Sequence, residues 1–213
     1  MMSSTPSAAA KMKREDLADW YLRLNGCLTV SNFVLHPERR GGQRGEADVV
    51  AVRFPHRAEF NDEGADDPLF ATIARPLFMV AEAKAGDCEL NASWIRDEKA
   101  ILYVLKRFAL LTRNKLETIA RVWFENGFYS DSELSCSFLC FGERRSENLH
   151  YPQIPQKTWG EVLLFFHRRF SSYSRRKSDH EQWDVVGKVI WDTWKKSRRD
   201  CRAFVEIVKL GLS

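Results

Sequence analysis

Two acids and a lysine are the residues in this sequence whose types and spacing suit chemistry. Residues 77–86, LFMVAEAKAG, open with the apolar run Leu77 to Ala81 and then carry Glu82 and Lys84, one residue apart. In a strand, residues i and i+2 point to the same face. A carboxylate and an ammonium therefore project side by side from the end of a strand whose body reads as core. Burying charge is costly unless the charge is paired or used. A second strand-like run, EADVVAVRF at 46–54, carries Glu46 and Asp48 ahead of the apolar Val49 to Val52, with the two acids sharing a face by alternation. If the two strands pair, Asp48 and Glu82 approach each other, and two close carboxylates raise the pKa of at least one. A divalent cation removes that conflict. Oxygen ligands with waters left on the ion suit Mg2+, for which Mn2+ substitutes. Lys84 then stands ready to hold an attacking water or to stabilise charge on a phosphate, and a metal-bound water is a usable nucleophile near neutral pH. Together these groups make a phosphodiester-hydrolysing set. The plainer alternative is an ion pair on an exposed strand end, worth about 0–1 kcal/mol.

The elements that must position these groups follow from periodicity. Residues 14–25 place Leu17, Trp20, Tyr21 and Leu24 at helical spacing, and Asn25-Gly26 is a helix stop. Strands are expected at 27–35, 46–54 and 76–84, the third preceded by a short extra strand. A Gly-rich turn separates the first two, and an acidic exposed loop spans 55–68. A helical region follows over 92–111, with Ile95, Ile101, Leu102, Leu105 and Phe108 on its apolar side; Asn91 or Ser93 caps it, a substrate contact by Asn91 being the lesser alternative, and Trp94 packs on the core. Asn114 with Glu117 opens another helix in the manner of a capping box. A fourth strand is expected at 135–142. The remainder reads as helical, with Thr158/Glu161 and Ser178/Glu181 at capping-box spacing ahead of apolar-periodic runs. The sum is an α/β fold with a central mixed sheet of about four strands flanked by helices. It divides into a flexible tail at 1–13, a core at 14–142 and a C-terminal helical elaboration at 143–213 packed on that core.

With 213 residues, 44% hydrophobic and 29% charged, the composition is that of a globular chain of one domain. No apolar run approaches the roughly 20 residues of a membrane helix, and the first residues lack a signal peptide's apolar segment, so a cytoplasmic location is expected. Five cysteines, an odd number, read as reduced thiols. Cys136 and Cys140 share a face without a second Cys or His pair at zinc spacing, and so read as buried structural residues. The net charge of +4 is uneven: from Glu143 onward there are 15 Lys and Arg against 9 Asp and Glu. A polyanionic partner suits that excess, although solvated helix faces account for it equally. Arg175 and Arg176 lie in RRFSSYSRRK, which mixes cations and aromatics as phosphate-tracking segments do. Arg39, Arg40 and Arg44, in the loop just before Asp48, are placed to reach the backbone of a bound strand. His36, His56, His150, His167 and His180 form no usable spacing.

Asp48, followed by Glu82-Ala83-Lys84 at the end of an apolar strand, resembles the PD-(D/E)xK, or restriction-endonuclease-like, nuclease superfamily. The resemblance covers about residues 14–142, where the order helix, three-strand meander, helix, strand is similar to the superfamily core. It implies that Asp48 and Glu82 bind Mg2+ and that Lys84 assists the attacking water. It also implies a further acid on the first helix, for which Glu15 is the best match and Asp19 the second; Glu46 is an additional candidate, as a ligand or behind the ligands. DNA is the implied partner, with RNA left open because the site chemistry does not read the sugar. A homodimer would offer two such sites to the two strands of a duplex. A finer likeness, in ED, W and LNG followed by D and EAK, is to Holliday-junction resolvases. Two departures stand out: Ala47 rather than Pro precedes Asp48, and the acidic insertion lengthens the interval to Glu82. The alternative class is a non-catalytic nucleic-acid- or protein-binding module on the same fold, against which the complete acid and lysine set argues.

Overall fold

The computed structural model describes residues 12–35, 45–55, 66–108, 113–179 and 184–212, with the backbone alone at 113–114 and 175–179. Arg39, Arg40, Arg44 and His36 lie outside the described residues.

Helix α1, Arg14–Leu24, buries Leu17, Trp20, Tyr21 and Leu24 and ends where the sequence places its stop. Gly26 takes φ 77, a left-handed conformation open to glycine at little cost, and its N–H closes onto Arg23 O at 2.9 Å. The chain continues as strands β1, Cys27–Leu35, β2, Gly45–Arg53, and β3, Leu77–Ala83. Helices α2, Ala92–Arg96, α3, Glu98–Phe108, and α4, Arg113–Asn126, then lead to β4, Phe128–Ser130, β5, Ser135–Gly142, and β6, Gln156–Thr158. Three helices finish the described chain: α5, Trp159–Asp179, α6, Val185–Ser197, and α7, Cys201–Leu210.

Among the described residues the sheet is mixed and has 6 strands in the order β1-β2-β3-β5-β4, with β6 also paired to β5. β1, β2 and β3 form an antiparallel meander, and β5 returns parallel to β3 after the crossover through α2 to α4. One sheet face, with Val49, Ala51, Met79, Ala81 and Phe141, packs against α1, α5, α6 and α7 through Tyr21, Phe166, Trp191 and Phe204. The other, with Val50, Phe78, Val80 and Phe138, packs against α2, α3 and α4 through Trp94, Ile101, Leu105 and Trp123. Each fully buried large apolar side chain contributes about 1.5–3 kcal/mol. β3 is covered on both faces, which is why it reads as an almost unbroken apolar run. No helix among the described residues is long and apolar enough to cross a membrane.

Several local expectations are corrected. The sheet exceeds about four strands because β4 and β6 are only 3 residues long and carry no readable alternation; β6 lies in the segment expected to be helical. Ahead of β3 the chain forms a 3-10 turn at Pro68–Phe70, its start held by Asp67 Oδ1, instead of an extra strand. The helical region after Asn91 breaks at Asp97, whose backbone is extended. Ser178 lies inside α5, and α6 is capped by Asp184, which accepts from Gly187 N–H at 2.8 Å. Met12, assigned to the tail, is buried, and its N–H donates to Gly211 O at 3.1 Å. The Thr158/Glu161 capping box forms, with bonds of 2.8 and 3.2 Å, and Cys136 and Cys140 are buried free thiols.

One close approach holds the segment after β3 in place. Glu143 N–H donates to Gly86 O at 2.6 Å and Cys88 N–H to Arg144 O at 2.8 Å. Between them, a Cβ on Gly142 would stand 2.7 Å from Cys88 N and 2.8 Å from Gly86 O. Both are backbone atoms that cannot rotate away. Gly142→Ala is therefore expected to destabilise the fold by about 1–3 kcal/mol, seen as a lower urea midpoint at unchanged slope; an unchanged midpoint would contradict this packing.

Candidate active site

The site forms where β2 and β3 part. Their ladder runs from Arg53↔Leu77 to Val49↔Ala81 and stops. The next N–H of β3 that faces β2, on Ala83, donates to Asp48 Oδ2 at 2.7 Å. A side-chain carboxylate thus takes over from a backbone acceptor. The alternation of β2 also slips here. Ala47 and Val50 face one core layer, while Val49 and Ala51 face the other. Glu46 and Asp48 therefore do not share a face by the simple alternation expected. On the β1 side the ladder passes over Asn32, which has φ 53, a conformation Asn tolerates better than most residues. The irregularity frees the Asp48 carboxylate to leave the sheet.

Glu82 lies at the other side of this fork, 0% exposed, in register with Cys140 of β5. Its Oε1 accepts from Trp94 Nε1 at 2.6 Å and its Oε2 from Lys84 Nζ at 2.7 Å. Lys84 Nζ also donates to Asn91 Oδ1 at 2.7 Å and stands 3.8 Å from Asp48 Oδ2. The backbone of Lys84 is clamped on both sides: its N–H donates to Phe141 O, and its carbonyl accepts from Trp159 Nε1, each at 2.9 Å. The structure thus brings Asp48, Glu82 and Lys84 together.

Two contacts escaped the sequence reading, Asn91 with Lys84 and Trp94 with Glu82. Asn91 occupies the N-cap position of α2 but makes no side-chain cap hydrogen bond; its Oδ1 accepts from Lys84 and its Nδ2 donates to Glu46 O at 3.4 Å. Trp94 packs in the core as expected, and its indole N–H also binds the buried acid. The signal that could have found Trp94 is the donor requirement of Glu82 itself, since a buried carboxylate must find partners nearby; nothing comparable points to Asn91, which bonds Lys84 and not Glu82.

The electrostatics follow the burial. Burial pushes the Glu82 pKa up to about 7; Lys84 opposes the rise and Asp48 reinforces it. Burial also raises Asp48, with Ala83 N–H and Lys84 opposing and Glu15 and Glu46 adding repulsion. For Lys84, burial works against the ammonium, but Glu82 and Asp48 outweigh it and hold the pKa above its ordinary value. Glu15 and Glu46 accordingly stand close enough to act on Asp48. Asp19, one turn beyond Glu15, pairs with Arg23 at 3.6 Å. Trp159 starts α5 at the Lys84 carbonyl, and the backbone of Arg175 and Arg176 lies far along α5, beyond a kink at Tyr173, where φ is -115 and ψ is 18.

Among the described residues no group of three or more His, Cys, Asp or Glu is arranged to hold a metal ion. The hard donors at the fork are two carboxylates. Both Asp48 contacts use Oδ2, leaving Oδ1. Each carboxylate oxygen has two lone pairs, so Glu82 retains acceptor capacity beyond Trp94 and Lys84. Two carboxylates, with other positions left to water, fit Mg2+ better than a caged Ca2+ or a nitrogen- and sulfur-bound Zn2+.

Compared with known proteins, the chain matches no family model, no curated protein and no solved structure. Function has to be read from the side chains themselves.

The raised Glu82 pKa has a measurable consequence. Between its ordinary 4.5 and about 7 the native protein binds more protons than the unfolded chain, so the Glu82 contribution to stability falls as pH rises through that window. At about 1.4 kcal/mol per unit, the fall amounts to a few kcal/mol. Relative to wild type, Glu82→Gln should gain stability by that order between pH 5 and 7.5 in urea unfolding. A stability difference that does not vary with pH would contradict the assignment.

Proposed function

We propose that this chain is a Mg2+-dependent phosphodiester hydrolase, an endonuclease acting on DNA, built on a restriction-endonuclease-like core of the PD-(D/E)xK kind. The observation that carries this reading is the convergence of Asp48, Glu82 and Lys84 at the parting of β2 and β3, with Lys84 Nζ 2.7 Å from Glu82 and 3.8 Å from Asp48. The element order, α1 then the β1-β2-β3 meander, helices and a β5 parallel to β3, supports it.

In this reading Asp48 and Glu82 would hold the cation. When bound, Mg2+ neutralises charge on the phosphate and makes a bound water acidic enough to attack. Asp48 is oriented by Ala83 N–H, and Glu82 by the Trp94 indole. Lys84 presents its ammonium to the attacking water or to charge developing on the phosphate, in a partly desolvated setting where such donors act strongly. Glu15 and Glu46 keep the surrounding field negative, which favours cation uptake. Arg39, Arg40 and Arg44, with Arg175 and Arg176 farther along α5, would hold phosphates away from the cut. A homodimer would serve both strands of a duplex.

One observation favours a second reading, a non-catalytic nucleic-acid- or protein-binding module. Both oxygens of Glu82 already have partners within the chain, so the cluster is satisfied as an internal network. Incubation of plasmid, linear and branched DNA, and of RNA, with Mg2+ or Mn2+ separates the two. Wild type should cut DNA only with metal, and Asp48→Ala and Lys84→Ala should each lose at least about 100-fold. Equal residual activity in all three proteins would overturn the hydrolase.

A further inference from the structure

Resting on that reading, we propose that Asn91 is a positioning residue: it keeps hold of the Lys84 ammonium when a bound cation displaces that ammonium from Glu82. Lys84 Nζ now stands 2.7 Å from Glu82 Oε2 and 3.8 Å from Asp48 Oδ2, in the gap between the two carboxylates that a cation at the fork would enter. Two positive charges cannot share that partly desolvated gap without strong repulsion. The ammonium must therefore give way. Its backbone cannot follow, being bonded to Phe141 O and Trp159 Nε1, so the side chain alone swings.

Asn91 Oδ1, 2.7 Å from Nζ, is the acceptor that remains. It is neutral, so it holds an ammonium without competing for the cation as a third carboxylate would. Its orientation is set by Nδ2, which donates to Glu46 O. Asn is a favoured N-cap residue, and Asn91 stands at the N-cap of α2 without a side-chain cap bond, so its amide is diverted to Lys84. One turn later Trp94 Nε1 keeps Glu82 Oε1 in place. The short helix α2 thus anchors the acid that stays and the lysine that moves.

Mn2+ affinity, read from the electron paramagnetic resonance of free Mn2+ over the full chain, tests this as a double-mutant cycle. Asn91→Leu should weaken Mn2+ binding about tenfold, because the displaced ammonium loses its acceptor. In a Lys84→Met background the same substitution should change affinity by less than about twofold. Asn91→Ser keeps a capping hydroxyl but is too short to reach Lys84, and should match Asn91→Leu. Equal losses with and without Lys84, or wild-type affinity in Asn91→Ser, would overturn the role of Asn91 while leaving the cation site standing. Wild-type binding that is unaffected by Asp48→Ala would remove the hydrolase reading and this proposal with it.

Discussion

Glu82 is a carboxylate sealed from water at the end of a central strand, and the local structure is organised by that fact. An ionised carboxylate left unpaired in such a place costs several kcal/mol. The chain meets the demand with two donors, the Trp94 indole and the Lys84 ammonium. Each donor makes its own demands. Trp94 reaches Glu82 only if α2 folds back over the end of β3, where the ring packs against Phe138. Lys84 stays in range only because β5 and Trp159 hold its backbone, and Trp159 is itself stacked on Phe141 at 5.6 Å. Packing on both faces of the sheet therefore converges on one charge.

The same end of the sheet is where backbone pairing gives out. β2 and β3 separate after Val49↔Ala81, and the Asp48 carboxylate bridges the gap. β3 and β5 run parallel and end together there. In open α/β sheets, ligands bind beyond the carboxyl ends of such strands, because the connections diverge and leave a crevice. Asp48, Glu82 and Lys84 stand at that end of the sheet. Gly142, at the end of β5, lets the segment after Lys84 cross against the sheet with no side chain between.

The acids and the lysine were legible in the sequence because their placement depends on short-range rules. Period-two alternation sets Glu82 beside Lys84, and an antiparallel meander sets Asp48 next to β3. The bounds of β1 and β5 were read from the same periodicity, 27–35 and 135–142. What escaped depends on tertiary folding. Asn91 and Trp94 looked like a cap and a core residue, and only the return of α2 toward Glu82 gives them a second use. The slip at Asp48, shared with the positive φ of Asn32, has no counterpart in composition. β4 and β6 borrow their hydrogen bonds from β5 and are too short to announce themselves. Arg39, Arg40 and Arg44 fall outside the described residues.

The proposed hydrolase requires a divalent cation on Asp48 and Glu82 at the fork between β2 and β3. Anomalous X-ray scattering from crystals grown with Mn2+ tests it directly. A single strong peak is expected about 2.0–2.2 Å from one oxygen of each of these carboxylates, with Lys84 Nζ drawn off Glu82. Crystals saturated with Mn2+ that show no peak at the fork, and Lys84 still bonded to Glu82, would contradict it.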